Sequence, residues 1–190
     1  MKNADVMRLK PTLWRTCRVL ANRRRLQILE HLITHGPRTV KQVAEQLQWP
    51  ETTATINLRA LNSRGMLQTR RFGKFVLYSV GADPTIPEAK ALLMVVKRAL
   101  ATRHDAIDVL IRHFTAFTHP RRILIVSTLG RRTLAFNELQ ERTAISRQAM
   151  GRHIEKLVER GYMVQKENSC RCVRGRHVIE KTLLDLAQRK

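Results

Sequence analysis

The sequence predicts a mainly α-helical protein in which one small unit of helices and a β-hairpin occurs twice in tandem. Three observations predict this fold class. Apolar residues recur at helical spacing, the same order of apolar residues and glycines is found twice about 97 residues apart, and a basic segment with alternating apolar residues follows each copy. A chain of 190 residues is long enough for two compact units of about 80 residues each.

The repeat is defined by apolar positions and a glycine that recur 97 and then 96 residues later. The pairs are Leu26 and Ile123, Leu29 and Val126, Leu32 and Leu129, Val40 and Phe136, Val43 and Leu139, Ala54 and Met150, Leu58 and Ile154, Leu61 and Leu157, and Gly65 and Gly161. Because the offset falls by one after the third pair, the second copy has lost one residue in its first loop. The apolar spacing predicts amphipathic helices with one free face, and each glycine is expected to end a helix in the left-handed conformation.

Each copy continues from its last helix into a predicted hairpin. The first hairpin is expected over residues 66–71 and 74–80, with its turn at Phe72-Gly73. The second should begin at residues 162–167 and resume near residues 175–179, before a short terminal helix over residues 182–189. Pro84 and Pro87 precede two more predicted helices, at residues 88–100 and about 105–117. We therefore expect an N-terminal domain over residues 1–86, linking helices over 87–118 and a C-terminal domain over 119–190.

The charge balance points to a polyanionic partner. Lys and Arg number 36 against 15 Asp and Glu, which gives a net charge of +21. The sequence has no apolar run of the roughly 20 residues that cross a bilayer, and residues 1–10 are charged and lack the apolar core of a signal peptide. We expect no membrane partner and a cytoplasmic, nucleoid-associated location.

The order helix, loop, short helix, turn, helix and hairpin resembles the ArsR-like winged-helix repressors. The residues that carry the resemblance in the first copy are Leu20-Ala21-Asn22, Arg25-Leu26, Thr53-Ala54-Thr55, Gly65-Met66-Leu67 and Gly73-Lys74. In the second copy they are His119-Pro120-Arg121-Arg122 and the run of residues 146–157. The resemblance implies tandem winged helix-turn-helix domains with hairpin wings, in a sequence-specific transcriptional regulator of double-stranded DNA that acts as a repressor. The helices beginning at residues 50–51 and 146 would enter the major groove.

Early exposed positions of these two helices are the predicted base-reading residues. In the first helix they are Thr52, Thr53 and Thr55, whose methyl groups and hydroxyls can meet thymine, other base edges or phosphate. In the second they are Arg147, Gln148 and Arg152, because arginine matches guanine and glutamine matches adenine. Ile56 stands where such repressors carry a polar residue, so the first helix is predicted to be the weaker reader. Ser146 is expected to cap the second helix.

Basic residues on the reading helices and the wings are the predicted contacts to the DNA backbone. They are Arg59, Arg70, Arg71, Lys74, Lys156, Lys166, Arg171, Arg174 and Arg176. Arg25 and Arg122, in the clusters near the helix starts, could instead support the fold.

The resemblance also implies an intramolecular pseudo-dimer, since such repressors dimerise through the helices that flank each winged unit. With two different reading helices in one chain, we expect an imperfect palindrome as the target. Further homodimerisation is left open.

Metal, cofactor and catalytic functions are not predicted. Cys170 and Cys172 lie two apart near His177, but the helices in which metal-sensing relatives often carry cysteines, residues 39–47 and 135–143, contain none. The sequence has no phosphate loop, serine elbow or paired-carboxylate motif. Three alternatives to a transcriptional regulator are considered: a replication or partition factor, a non-specific nucleoid or RNA-binding protein, and a protein-interaction module.

Overall fold

The computed structural model describes residues 11–189, which contain ten helices and five strands. They pack into two compact units. The N-terminal unit is residues 19–111, and the C-terminal unit combines residues 112–189 with residues 11–18. The predicted linking segment, residues 87–118, is therefore divided between the two units.

The elements that lie first in the chain are α1 (Pro11–Leu20), α2 (Arg23–His35), α3 (Val40–Leu47), α4 (Glu51–Asn62), β1 (Leu67–Phe72), β2 (Phe75–Val80) and α5 (Ala89–Thr102). Strands β1 and β2 form an antiparallel hairpin in which Arg70 pairs with Leu77 and Arg71 with Val76. An isolated bridge joins Arg38 to Tyr78 of β2. We call α2 to α4 with this hairpin the N-terminal winged helix.

The same order of elements follows once more. These are α6 (Ala106–Ala116), α7 (Pro120–Leu129), β3 (Thr133–Ala135), α8 (Phe136–Thr143), α9 (Arg147–Glu159), β4 (Met163–Lys166), β5 (Ser169–Cys172) and α10 (Val178–Gln188). Strand β5 lies between β3 and β4 in an antiparallel sheet. Here β3 extends the single bridge of the first copy into a strand. We call α7 to α9 with this sheet the C-terminal winged helix, and the predicted class, mainly helical with small hairpin wings, is confirmed.

The structure extends the repeat beyond the residues that predicted it. Four buried residues of α1 recur 97 positions later in or beside α6: Leu13, Thr16, Cys17 and Leu20 match Leu110, His113, Phe114 and Phe117. Four buried residues of α5 recur 91 positions later in α10: Leu92, Leu93, Val95 and Val96 match Leu183, Leu184, Leu186 and Ala187. Each copy therefore contains five helices.

Arg25 and Arg122 have the same structural task in the two copies. The Arg25 guanidinium donates to the carbonyl oxygen of Val19, in the last turn of α1, at 3.2 Å. The Arg122 guanidinium donates to the carbonyl oxygen of Ala116, in the last turn of α6, at 2.6 Å. These carbonyls have no partner within their own helices, so the two arginines support the fold, as the sequence allowed.

The second hairpin differs from the prediction. Its returning strand is β5, not residues 175–179, and the turn lies at residues 167–168, where Glu167 takes a φ of +48°. The predicted terminal helix also begins earlier, at Val178. The His177 side chain accepts from the third residue of α10, and the Glu180 side chain accepts from the backbone N–H of His177. This capping box starts the helix there.

Gly65 and Gly161 both take left-handed backbone, as predicted, with φ of +67° and +80°. Their surroundings differ. A Cβ on Gly65 would lie 2.8 Å from the Cβ of Asp83 and 2.9 Å from the Cδ1 of Ile86, whereas a Cβ on Gly161 would have open space. The N-terminal turn is therefore closed around its glycine.

We expect Gly65→Ala to lower the free energy of unfolding by about 2–4 kcal/mol, because backbone strain and a steric clash add. Gly161→Ala, the matched control, should cost only the strain of about 1–2 kcal/mol. Urea denaturation followed by circular dichroism checks this, and equal losses in the two variants would contradict it.

Candidate nucleic-acid interface

The turn between α3 and α4 fixes how α4 is presented. Thr39 and Gln42 form a capping box at the start of α3. At its end Gln48 takes left-handed backbone with φ of +56°, and the N–H of Trp49 donates to the carbonyl oxygen of Ala44. Pro50 then precedes the first residue of α4. This is the tight turn of a helix-turn-helix.

One face of α4 is anchored in the core. Ala54, Leu58 and Leu61 are fully buried. Asn57, also buried, accepts a hydrogen bond from Arg25 Nε at 3.1 Å and donates to the carbonyl oxygen of Thr53 at 2.9 Å. The same arginine that caps α1 therefore fixes the rotation of α4 about its axis.

The opposite face of α4 is open to solvent. Thr52, Ile56 and Arg59 are exposed, and Thr53 and Thr55 are half-buried. Ile56 has 64% of its surface exposed, so an apolar side chain stands in the middle of the outward stripe. Arg59 makes no ion pair with any residue in the described range 11–189.

The first wing carries unpaired positive charge. Arg70 and Arg71 are exposed on β1 and, as successive residues of a strand, lie on opposite faces of the hairpin. Lys74 lies in the turn, with its Nζ 5.5 Å from the ring centre of Phe75, which is 51% exposed. The three cations make no ion pair within the described part of the chain.

The second predicted reading helix, α9, also presents its predicted base readers to solvent. Arg147, Gln148 and Arg152 are all exposed, while Ala149, Met150, Ile154 and Leu157 are buried. The guanidinium carbon of Arg147 lies 5.4 Å from the ring centre of Phe136. Ser146 stands at the N-cap as predicted, but its side chain makes no capping hydrogen bond.

His153 of α9 packs on His119, which precedes α7, with 4.5 Å between the ring centres. Burial, followed by the nearby positive groups, lowers the pKa of His153 to about 4. The ring is therefore neutral near pH 7 and adds no charge to the helix. No local signal in the sequence indicates this pair, because its partners are 34 residues apart.

The exposed faces of α4 and α9 differ in charge in the C-terminal half of each helix. Glu155 stands 96 residues after Arg59, so the same position of the repeat carries opposite charges. Glu155, Glu159 and the wing residue Glu167 line an open cavity of about 630 Å³. Lys156, predicted to meet the DNA backbone, is half-buried and its Nζ lies 2.7 Å from Glu159 Oε2. Contact between Lys156 and a DNA phosphate stays a prediction. In this structure the ammonium group of Lys156 is already paired with the Glu159 carboxylate.

The structure puts only part of the predicted basic set on the second wing. Lys166 lies at the tip end of β4, and Arg171 lies on the central strand β5; both are exposed. Arg174 and Arg176 lie beyond the wing, in the connection to α10, because the hairpin turns at residues 167–168. Their assignment to the wing was therefore wrong, and their contact with DNA stays a prediction.

The two cysteines of β5 differ in exposure, and Cys172 is half-buried. Cys170 is buried in the core, and burial raises the pKa of Cys172 to about 11. Among residues 11–189 no three His, Cys, Asp or Glu side chains are grouped so as to hold a metal ion. None of the helices in that range is both long and apolar enough to span a bilayer.

A model of the penicillinase repressor family matches residues 23–116. An HTH-type transcriptional regulator of Mycobacterium tuberculosis is 39% identical over 82 residues, which are 43% of this chain and 35% of that protein. The chain thus spans about a third of the length of this relative. This chain is 34% identical in sequence to a protein of known solution structure from Mycobacterium bovis. That structure is described as the homodimeric winged helix-turn-helix DNA-binding domain of a possible ArsR-family transcriptional regulator. The structural match covers 54% of this chain and 90% of the M. bovis chain, with a TM-score of 0.38.

The family match contains the complete N-terminal winged helix, from the first residue of α2 to the end of its hairpin, and continues through α5 and α6. Residues 23–116 of this chain therefore match the penicillinase repressor family, and they contain a winged helix-turn-helix.

Proposed function

We propose that the protein is a transcriptional repressor that binds double-stranded DNA sequence-specifically, with α4 and α9 as reading helices. The observation that carries the proposal is the N-terminal winged helix. Its α4 turns a stripe of Thr52, Ile56 and Arg59 to solvent, beside a hairpin with three cations that form no ion pair within residues 11–189. Cations of this kind bind phosphates, and the hydroxyl and methyl groups of the stripe can meet base edges. The family name and the regulator from M. tuberculosis support regulation of transcription.

Selection of bound sequences from a random duplex pool by the full chain tests the proposal. A sequence-specific regulator enriches one motif, which then binds much more tightly than a scrambled duplex of the same length. A non-specific nucleoid protein would leave the pool unenriched and bind both duplexes alike. That outcome would overturn the proposal.

We expect Arg147→Ala to weaken binding to the selected duplex by about 1–3 kcal/mol and to leave the scrambled duplex nearly unchanged, because a guanine contact is lost rather than a phosphate contact. Fluorescence anisotropy at fixed salt measures both affinities. Lys97→Ala, at an exposed position of α5, removes the same charge outside both helix-turn-helix segments. Equal weakening of the two duplexes by Arg147→Ala would assign that residue to the backbone.

We also propose that one chain supplies both halves of a pseudo-dimer and meets an imperfect palindrome. The support is chemical: α4 presents threonines and Arg59, whereas α9 presents Arg147, Gln148 and Glu155, so the two half-sites cannot be read alike. A footprint with two different half-sites, bound by one chain as judged by light scattering, is the expected result. Two identical half-sites bound by two chains would contradict it.

A further inference from the structure

A basic cleft opens in the C-terminal unit, apart from the exposed stripe of α9. Its volume is about 650 Å³, and its walls are the turn after α7, strand β5, the connection that follows β5, and α10. Clefts that bind small molecules commonly have volumes of about 300–1,000 Å³. The basic cleft is therefore large enough for a metabolite-sized ligand.

The lining of the basic cleft is strongly cationic. Arg131, Arg171, Arg174 and Lys181 line it, with Asp185 as the one carboxylate among its lining residues. None of the four cations forms an ion pair within residues 11–189. Like charges collected in one concavity repel each other, and an anion placed among them would relieve that repulsion.

The frame of the cleft is held by hydrogen bonds and close packing. Gln188 Nε2, near the end of α10, donates to the carbonyl oxygen of Gly130, just after α7, at 2.9 Å. Gly175 lies so close to the first turn of α10 that a Cβ would be 2.7 Å from the backbone nitrogen of Lys181. The Glu180 carboxylate also accepts from the backbone N–H of Arg176 at 2.7 Å. The connection that carries Arg174 is thus fixed against α10.

The basic cleft is built from features that distinguish the C-terminal copy from the N-terminal one. Helices α2 and α7 start at equivalent points, 97 residues apart, but α2 has 13 residues and α7 has 10. The missing turn is replaced by the loop that contains Arg131. On the hairpin, Cys170 pairs with Leu134 as Tyr78 pairs with Arg38, so Arg171 corresponds to the neutral Ser79. Arg131 and Arg171 are therefore not a general requirement of the fold, whereas Lys181 has a counterpart 91 residues earlier in Lys90.

We propose that the basic cleft binds a small phosphorylated molecule. Three guanidinium groups can each form paired hydrogen bonds with phosphate oxygens, and Lys181 adds a compact charge. The Cys172 thiol at the wall stays protonated near neutral pH, since burial raises its pKa to about 11, and it does not oppose an anion. Because DNA also carries phosphates, duplex DNA is the other source of the same chemistry, and the test must separate the two.

The test is isothermal titration calorimetry of the full chain with inorganic pyrophosphate, at constant ionic strength and without DNA. We expect saturable binding of one pyrophosphate per chain. R171A/R174A should bind at least about tenfold more weakly, because charge-assisted hydrogen bonds are lost. Asp185→Asn should bind about two- to fivefold more tightly, since one repelling charge is removed; misfolding could not produce that gain.

Matched controls separate the cleft from general charge. R121A/K166A removes two exposed cations of the same unit that lie outside the basic cleft, and Glu141→Gln neutralises an exposed carboxylate on α8. Both should leave pyrophosphate affinity within about twofold of the unaltered chain. Absence of saturation, or controls that shift the affinity as much as the cleft variants, would overturn the proposal.

A second arm uses duplex DNA. Lys181→Ala removes a cation of the cleft that is not a predicted DNA contact, so it should weaken pyrophosphate binding and keep DNA affinity to within about tenfold. R171A/R174A also removes two predicted contacts to the DNA backbone, so part of its DNA affinity should be lost. A loss as large as that of the wing variants described below, without saturable pyrophosphate binding, would assign the two arginines to DNA and overturn the proposal. Pyrophosphate binding is measured without DNA, so failure of the proposed repressor function would leave this test intact.

Discussion

The triple variant R70A/R71A/K74A should bind duplex DNA about 10²- to 10³-fold more weakly than the unaltered protein at 0.1 M salt. Each cation that meets a phosphate releases about 0.9 of a counterion, so three lost contacts remove about 2.7 from the slope of log affinity against log salt. The three side chains are exposed and unpaired in the described part of the chain, so nothing within that part competes for them.

The matched control is K90A/K97A/R98A, which removes three exposed cations from α5. It lowers the net charge equally and should reduce the salt slope by much less than one. Anisotropy titrations of the selected and the scrambled duplex at four salt concentrations give all the slopes. If the control loses as much affinity as the wing variant, net charge rather than the wing binds the DNA. Because the wing contacts are to phosphate, the loss should be the same for both duplexes.

Arg122→Ala should lower the free energy of unfolding of the C-terminal unit by about 2–4 kcal/mol. Arg122 donates from Nε to the carbonyl oxygen of Ala116, and from Nη2 to the carbonyl oxygen of Thr115 and the hydroxyl of Thr118. Removal of the guanidinium takes this donor from the Ala116 carbonyl, whereas the Thr115 carbonyl still accepts from the Thr118 hydroxyl. Lost hydrogen bonds to a charged group each cost about 1.5–3 kcal/mol. Burial and the neighbouring Arg160 lower the pKa of Arg122, which agrees with its interior position.

Trp14 lies in the C-terminal unit and Trp49 in the N-terminal unit, so Trp49→Phe leaves a fluorescent reporter for the C-terminal unit alone. Urea denaturation in that background measures the effect of Arg122→Ala. The neighbouring Arg121 is exposed, and Arg121→Ala should change stability by no more than about 0.5 kcal/mol. A midpoint of Arg122→Ala equal to that of Arg121→Ala would show that these hydrogen bonds contribute nothing.

Local signals in the sequence predicted most of the helices. The spacing of Ala54, Leu58 and Leu61 places one face of α4 in the core, and Gly65 and Gly161 take the left-handed backbone that ends their helices. These features depend on residues within a few turns of each other, so they are visible without coordinates. The first hairpin was predicted for the same reason, because Gly73 marks its turn.

The returning strand of the second hairpin was predicted in the wrong place, and the turn that precedes it carries no glycine. Glu167 adopts left-handed backbone there, a conformation that side chains other than Gly, Asn and Asp rarely take. The returning strand was predicted near Gly175, but that glycine packs against α10 instead. The capping pair of His177 and Glu180 was the available signal that Val178 begins a helix.

The basic cleft and the charge reversal between Arg59 and Glu155 required different information. The cleft joins Arg131, Arg171 and Lys181 across 50 residues of sequence, and it depends on the shorter α7. The reversal is present in the sequence, but it has meaning only once both residues are known to lie on exposed helix faces. Both features depend on how residues that are distant in the sequence are arranged by the fold, and not on the conformational preferences of neighbouring residues.

The presence of two copies of one set of elements in a single chain has an evolutionary consequence. In a homodimer, one codon change alters the DNA-contacting helix of both subunits at once. A substitution that improves binding to one half of an operator is therefore also present at the other half. In this chain Arg59 and Glu155 are encoded separately, as are Ser79 and Arg171. Each copy can therefore change independently, so a substitution such as Arg171 can arise in the C-terminal copy while Ser79 of the N-terminal copy is unchanged.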